Sequence, residues 1–209
     1  MHSKIEIPKK SIYRLSIYQR CLERLKENEI ETVSSEALAK AAGVKPTQLR
    51  KDLSNFGQLG TRGLGYSVEN LIGVIGDVLG RNHLQPVILV GVGNLGAALL
   101  RYQGFNKEGF EVTASFDADA ERIKTLGKRL KMNVLHQSEM DDFIRTHDVK
   151  MAILTVPGSV AQEVANQLVE AGILAILNFS PTVLEVPDYV QVNNVDLAVE
   201  LENLSYFIR

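Results

Sequence analysis

The sequence predicts an α/β chain in which an N-terminal winged helix-turn-helix precedes a Rossmann-type parallel sheet and a closing C-terminal helix. Three observations predict it. Residues 11–66 hold three amphipathic helical patterns followed by a glycine-rich stretch spaced as a hairpin. Residues 86–100, PVILVGVGNLGAALL, run from a buried-type strand through G-x-G-x-x-G into a helix. Beyond them, strand and helix patterns alternate as a parallel sheet requires.

A chain of 209 residues with 45% hydrophobic content can bury one or two ordinary cores. The expected domains are 1–83, 84–194 and a terminal helix, 195–209. No apolar run approaches the roughly 20 residues that cross a bilayer, and MHSKIEIPKK lacks the apolar core of a signal peptide. A cytoplasmic chain with no membrane partner is therefore expected. The single cysteine, Cys21, rules out an intrachain disulfide and a thiolate cluster, so a redox role must borrow a cofactor. The net charge of −2 divides unevenly: residues 1–66 carry 12 Lys and Arg against 7 Asp and Glu, or +5, leaving −7 for the remainder. A basic end suits a polyanion, but an asymmetry of this size is common and decides nothing alone.

The first helix, from residue 11, places Ile12, Leu15, Tyr18, Leu22 and Leu25 on one stripe. In SSEALAKAAG a serine caps the second helix, Leu38, Ala41 and Ala42 supply its inward face, and Gly43 stops it. Pro46 opens the third at a permitted first-turn position. On this helix Leu49, Leu53 and Phe56 face one side, and Thr47, Arg50, Lys51 and Ser54 the other, flanked by Gln48 and Asn55. A helix of that kind fits a major groove, where its side chains bond phosphates or base edges. A solvated polar face would look the same, and the helix alone does not separate the two readings.

GQLGTRGLGY, residues 57–66, reads as a hairpin with Thr61 and Arg62 at its centre, the order of a wing. Arg62 would sit near the tip, facing the minor groove or a phosphate. SVENLIGVIGDVLG closes the domain as a helix with Val68, Leu71, Ile72, Ile75, Val78 and Leu79 inward and Gly80 beyond its end. RNHLQ is the expected linker.

In the second domain VILV is the first strand, and Gly91, Val92, Gly93, Asn94, Leu95 and Gly96 form the nucleotide loop. Gly91 permits the tight turn, Gly93 lets backbone approach a pyrophosphate, and Gly96 lets helix and strand close. The helix is expected to continue through NLGAALLRYQGF. A second strand, FEVTASFD, ends at Asp117, 21 residues after Gly96, where an acid meets ribose hydroxyls and repels a 2′-phosphate. This favours NAD(H) over NADP(H) unless Arg122 or Lys124 folds back. The remaining pattern reads as helix SEMDDFIRTH, strand MAILTV, helix SVAQEVANQLVEAG, strand ILAILNF, strand YVQV and a last helix from 195 to 207. Ser138 with Asp141 and Ser159 with Gln162 are spaced as capping boxes.

Chemistry at a nicotinamide would need an acid, base or metal. His2, His83, His136 and His147 fall away from the predicted strand ends, and no tyrosine is followed by lysine four residues on. What lies at those ends is Thr155, Val156 and Pro157, with Asn178 and Phe179, an apolar wall suited to binding without reaction. No catalytic residue and no metal are expected.

SSEALAKAAGVKPTQLRKDLSNFGQLGTRGLGY, VGVGNLGAAL, FDAD, LTVP, LNFSPTVLEVP and NVDL, in this order, resemble the Rex family of redox-sensing transcriptional repressors, from about residue 8 onward. The resemblance implies a homodimer that binds inverted-repeat operator DNA, a domain that binds NADH and NAD⁺ competitively, and a C-terminal helix swapped onto the partner. It implies release of DNA when NADH rises. It further implies that Arg20, Tyr102 and Asp196 exchange partners between states. Lys45, a poor cap before Pro46, is expected to contact a phosphate instead. Ser180 departs from the alanine usual in the family. The alternatives from other classes are a small NAD-dependent dehydrogenase with an accessory domain and a nucleotide-gated module acting on a protein partner.

Overall fold

The computed structural model describes residues 7–61, 63–130 and 134–208, and divides into two compact units, 1–83 and 84–209.

In the first unit α1 (Lys9–Glu27) buries Leu15, Tyr18 and Leu22 completely, as its stripe requires. Strand β1 (Thr32–Val33) leads into α2 (Ser35–Ala41), capped by Ser34 Oγ, which accepts the Ala37 N–H at 3.1 Å. Leu38, Ala39 and Ala42 line its inner face. Ala41, expected inside, is exposed: in so short a helix the buried set runs i, i+1, i+4 from Leu38, and Ala41 falls outside that arc. Gly43 takes φ +67° and turns the chain into α3 (Pro46–Leu53), which a 3-10 turn extends to Phe56. Strands β2 (Gly60–Thr61) and β3 (Gly65–Ser67) make the predicted wing, and β1 adds a third antiparallel strand in the order β1-β3-β2. Two residues are too few to show a period, so β1 was invisible to pattern. Helix α4 (Val68–Leu79), capped by Ser67 and stopped by Gly80 at φ +69°, buries Val68, Leu71 and Ile75 in the same core.

A buried carboxylate fastens α3 to α1. Asp52, with a side chain 3% exposed, accepts from Arg14 Nε at 2.6 Å and Nη2 at 2.7 Å. It also accepts from Tyr18 OH at 2.9 Å, Ser11 Oγ at 3.1 Å and Gln48 Nε2 at 3.1 Å. Burial pushes the Asp52 carboxyl up, but bonds from Arg14 first, then Tyr18, Ser11 and Gln48, outweigh it and hold the group below the ordinary carboxylate range.

The second unit is a six-stranded parallel sheet in the order β6-β5-β4-β7-β8-β9. Its strands are β4 (Gln85–Val90), β5 (Phe110–Asp117), β6 (Val134–His136), β7 (Met151–Leu154), β8 (Ala175–Asn178) and β9 (Gln191–Asn194). Its helices are α5 (Asn94–Leu100), α6 (Gly104–Lys107), α7 (Ala120–Leu130), α8 (Met140–His147), α9 (Gly158–Ala171) and α10 (Leu197–Tyr206). Along β4, Val87 and Leu89 pack on one face with Ala97, while Ile88 and Val90 pack on the other with Ile144 and Leu168. Both faces are covered, as parallel sheets require. The strand order reverses direction between β4 and β7, which is where doubly wound sheets hold ligands.

Several local expectations are corrected. The helix after the glycine loop ends at Leu100, and YQGF forms a turn into α6. The Tyr102 ring lies over Gly104, where any Cβ would strike it, and meets Phe105 edge-on at 5.1 Å. Helix α7 and strand β6 were not anticipated; β6 is only three residues long. His136, expected away from strand ends, is the last residue of β6. There it replaces Ser138 and Asp141 as the cap: its Nδ1 accepts the Ser138 N–H at 3.2 Å while Glu139 Oε1 accepts its own N–H at 3.1 Å. Ser159 caps nothing, because Pro157 already presets the entry to α9, and Gln162 instead bonds both backbone groups of Glu185 at 2.8 Å. Helix α10 is capped by Asp196 Oδ1, which accepts the N–H groups of Ala198 and Val199 at 2.9 and 3.2 Å. No helix among the described residues is long and apolar enough to cross a membrane.

Because Asp52 is held low in the fold, its contribution is complete above the unfolded value, about pH 4, and fades as pH falls through the folded value. Asp52→Ala removes the buried acceptor shared by Arg14, Tyr18, Ser11 and Gln48 and should cost about 3 kcal/mol near neutral pH. Thermal melts should show the gap from wild type shrinking in acid; a gap independent of pH would deny the carboxylate this role.

Candidate functional site

Four strand ends converge at the point where the sheet reverses. After β4, Gly91 turns at φ +95°, and a Cβ there would meet the Thr155 backbone and Val156 at 2.8 Å. Gly96 on α5 sits against the Gly91 carbonyl with no space for a side chain, and the Thr155 hydroxyl donates to that same carbonyl at 2.6 Å. The Thr155 N–H reaches Val90 O at 2.9 Å, and Phe179 N–H reaches Leu154 O at 2.9 Å, so the loops after β4, β7 and β8 are tied in series. Gly93 differs from its neighbours, because a Cβ there would meet nothing within 4 Å. The loop is rigid at 91 and 96 and open at 93, the arrangement a pyrophosphate needs.

Asp117 ends β5 and is only 5% exposed. Its Oδ2 accepts the Val92 N–H at 2.7 Å and its Oδ1 the Asp119 N–H at 2.8 Å, so it braces the glycine loop. Arg122 does fold back, with Nη1 3.5 Å from Asp117 and Nε 3.3 Å from Asp119. The exception allowed for Arg122 is therefore met: Asp117 is a partly balanced acid, and Arg122 is a member of this group.

The other predicted nucleotide residues divide by accessibility. Asn94 and Leu95 are exposed on the first turn of α5, whereas the Val92 side chain is buried and offers only backbone. Thr155, Val156 and Phe179 are half-buried and Pro157 is exposed along the same edge. Asn178 is fully buried and committed: its Nδ2 donates to Thr182 O at 2.8 Å and Asn194 Oδ1 at 2.9 Å. Its Oδ1 accepts from Ser180 N–H at 3.0 Å and Ser180 Oγ at 2.6 Å. It is a pin for the loop, not a group facing the cleft, and the Ser180 hydroxyl adds one more bond to that pin.

On α3, Thr47, Arg50, Lys51 and Ser54 are exposed with Lys45 and Asn55, while Leu49 and Leu53 are buried. Thr61 is exposed on the wing; Arg62 lies outside the described residues. Gln48 belongs to the Asp52 cluster, which periodicity could not reveal because Asp52 sits on the apolar side of the helix. Arg20 is exposed on α1 of the first unit; in the second, Tyr102 is exposed on the turn after α5 and Asp196 caps α10.

Gly96→Ala should lower the melting temperature by the equivalent of about 1–3 kcal/mol through overpacking, while Gly93→Ala should stay within about 0.5 kcal/mol of wild type. Equal melts for the two would contradict the loop geometry given above.

Comparison with known proteins places this geometry. The family model described as "Putative DNA-binding protein N-terminus" matches residues 6–54, and the CoA binding domain model matches residues 82–182. The redox-sensing transcriptional repressor Rex of Syntrophobacter fumaroxidans is 46% identical over 97% of this chain and 96% of its own length. That of Carboxydothermus hydrogenoformans is 45% identical over 98% and 97%. Among solved structures, RSP in complex with β-NAD⁺ and operator DNA matches with a TM-score of 0.90 at 37% identity, covering 97% of this chain and 93% of the other. RSP in complex with β-NADH matches with a TM-score of 0.85 at 36% identity, covering 97% and 94%. With nearly half its residues shared along nearly its whole length, the chain belongs to the Rex family of redox-sensing transcriptional repressors.

Proposed function

We propose that this chain is a transcriptional repressor that binds inverted-repeat operator DNA as a homodimer and lets go when NADH binds. The observation that carries the reading is the likeness, over the full length, to a repressor known both on operator DNA with β-NAD⁺ and with β-NADH. The relatives are named repressors, and no chemical step is assigned to the strand-end cleft. A repressor working on DNA belongs in the cytoplasm.

Residues 91–96 would take the pyrophosphate, with Gly93 nearest it and the N–H groups of Asn94 and Leu95 beside it. Asp117 would reach the adenosine ribose while still bracing Val92. Thr155, Val156, Pro157 and Phe179 would flank the nicotinamide, and Asn178 would hold their loop from behind. Coenzyme A shares the adenosine diphosphate half but not this redox-active end. An oxidised nicotinamide is a cation and a reduced one is neutral, so an edge lined by Val156, Pro157 and Phe179 favours NADH by desolvation alone. Release then requires that NADH bind the DNA-incompetent dimer better, since a ligand indifferent to two states shifts neither.

Dimerisation is supported by α10. Leu197, Leu201, Leu204 and Ile208 are 62 to 86% exposed, an apolar stripe that its own chain leaves uncovered. A partner subunit would cover it, and a two-fold dimer matches the symmetry of an inverted repeat. Lys45, Thr47, Arg50, Lys51 and Ser54 would then face the groove, with Thr61 and Arg62 from the wing. Arg20, Tyr102 and Asp196 are the residues proposed to change partners between states.

Fluorescence anisotropy on an inverted-repeat promoter fragment should show release by NADH and retention with NAD⁺ or coenzyme A. Gly93→Val should weaken NADH by at least about 100-fold, near 2.7 kcal/mol, and stay on DNA when NADH is added. Deleting residues 195–209 should yield monomer or aggregate by light scattering. A well-folded dimer from that deletion, still released by NADH, would overturn the role given to α10.

A further inference from the structure

Helix α2, helix α3 and the wing enclose an open groove of about 510 Å³, lined by Ser35, Glu36, Arg50, Thr61 and Tyr66 among others. Within it Arg50 Nη1 donates to Ser35 Oγ at 2.8 Å and to Glu36 Oε1 at 3.2 Å, and Ser35 Oγ donates to Glu36 Oε1 at 3.1 Å. The three side chains close a small ring of bonds around one cation. Both charges are accessible, at 49% for Arg50 and 70% for Glu36. The Glu36 carboxyl is held below its ordinary range by its own backbone N–H first, then by the Ser35 hydroxyl and Arg50, so it is an anion wherever the protein would meet DNA.

Exposed pairs of this kind add little to stability, and the core of this unit is supplied by Leu38, Leu49 and Leu53. The fold therefore does not explain the pair. Nor does a surface whose task is simply to gather phosphates, for there an anion beside Arg50 opposes binding.

We propose that Glu36 is a specificity-determining residue for DNA: it reserves Arg50 for neutral acceptors on a base edge and penalises its use on a phosphate. This rests on the reading of α3 as the groove-facing helix. Arginine has five N–H donors; among the described residues Arg50 uses the two on Nη1, so the three on Nε and Nη2 remain, enough for a paired acceptor such as guanine N7 and O6. A neutral base edge leaves the ion pair intact, with the guanidinium already ordered by Ser35 and Glu36. A phosphate competes with Glu36 for the same cation and brings two anions together. Since phosphate contacts supply nearly all non-specific binding, the penalty falls on wrong sites.

The test uses the full-length chain and two duplexes, an inverted repeat selected by the wild-type chain from a randomised pool and a scrambled version of it, each titrated over a salt series. Glu36→Gln keeps the size and a hydrogen-bond acceptor but removes the charge. It should tighten binding to the scrambled duplex about 3- to 10-fold and steepen its salt slope by about one, the signature of one added phosphate contact. The ratio of the two affinities should fall by a similar factor. Glu36→Asp, which keeps the charge, should restore at least part of that ratio. A Glu36→Gln ratio equal to wild type, whether both affinities move together or neither moves, overturns the proposal. Wild-type protein that fails to prefer the selected duplex overturns the DNA reading beneath it.

Discussion

The Gly91 carbonyl governs the second unit. It lies where the sheet reverses, accepts the Thr155 hydroxyl, and presses so closely on Gly96 that Gly96 cannot carry a side chain, while Gly91 itself is crowded by Thr155 and Val156. That crowding brings α5 down onto β4 and draws the loops after β4 and β7 together. The bond from Asp117 to the Val92 N–H clamps the same loop from the neighbouring strand. A ligand at this edge meets a surface ordered in advance, so little of its binding energy is spent on arranging the protein. Of the three glycines of this loop, Gly93 has open space where its side chain would be and escapes the crowding.

In the first unit the corresponding constraint is ionic. Asp52 gathers Arg14, Tyr18, Ser11 and Gln48 into one buried cluster, so α3 is held to α1 by directional bonds as well as by leucines. Apolar packing alone tolerates sliding and rotation. A bidentate arginine with two hydroxyls does not, so these bonds hold α3 in a single pose against α1. The cluster also divides the labour on α3: Gln48 looks inward to structure, and Thr47, Arg50, Lys51 and Ser54 look outward. Glu36 pairs with the outward Arg50 as Asp52 pairs with the inward Arg14, so two anions of this unit, one exposed and one buried, each hold an arginine.

The two units share a logic in which the residues that seem most chemical are engaged by the protein itself. Asn178 secures its loop, Asp117 braces the glycine turn, and His136 caps a helix. A cleft of this kind holds and distinguishes a ligand by shape and by the cost of burying charge. That is what a sensor requires, because a reactive cleft would consume the signal it reads.

Periodicity alone determined most of the architecture. The helical stripes of α1, α3 and α4, the glycine-rich wing, the strand-loop-helix at 87–100 and the acid at 117 are each local in sequence, and each follows from how one element must bury one face or make one turn. Elements too short to show a period, β1 and β6, were invisible, as was the break at Arg101, after which the Tyr102 ring lies over Gly104. Caps were misassigned wherever a distant partner or a proline took the place of the expected side chain, as at Pro157, with Gln162 claimed by Glu185. The partners of polar groups were decided by tertiary structure alone. Asp52 joins residues 34 to 41 positions away, Asn178 reaches across to Asn194, and Arg50 finds Glu36 14 positions earlier. Hydrophobic patterning says which side of an element is buried, but a hydrogen bond depends on which two side chains the folded backbone brings within about 3 Å, and no spacing along the chain encodes that.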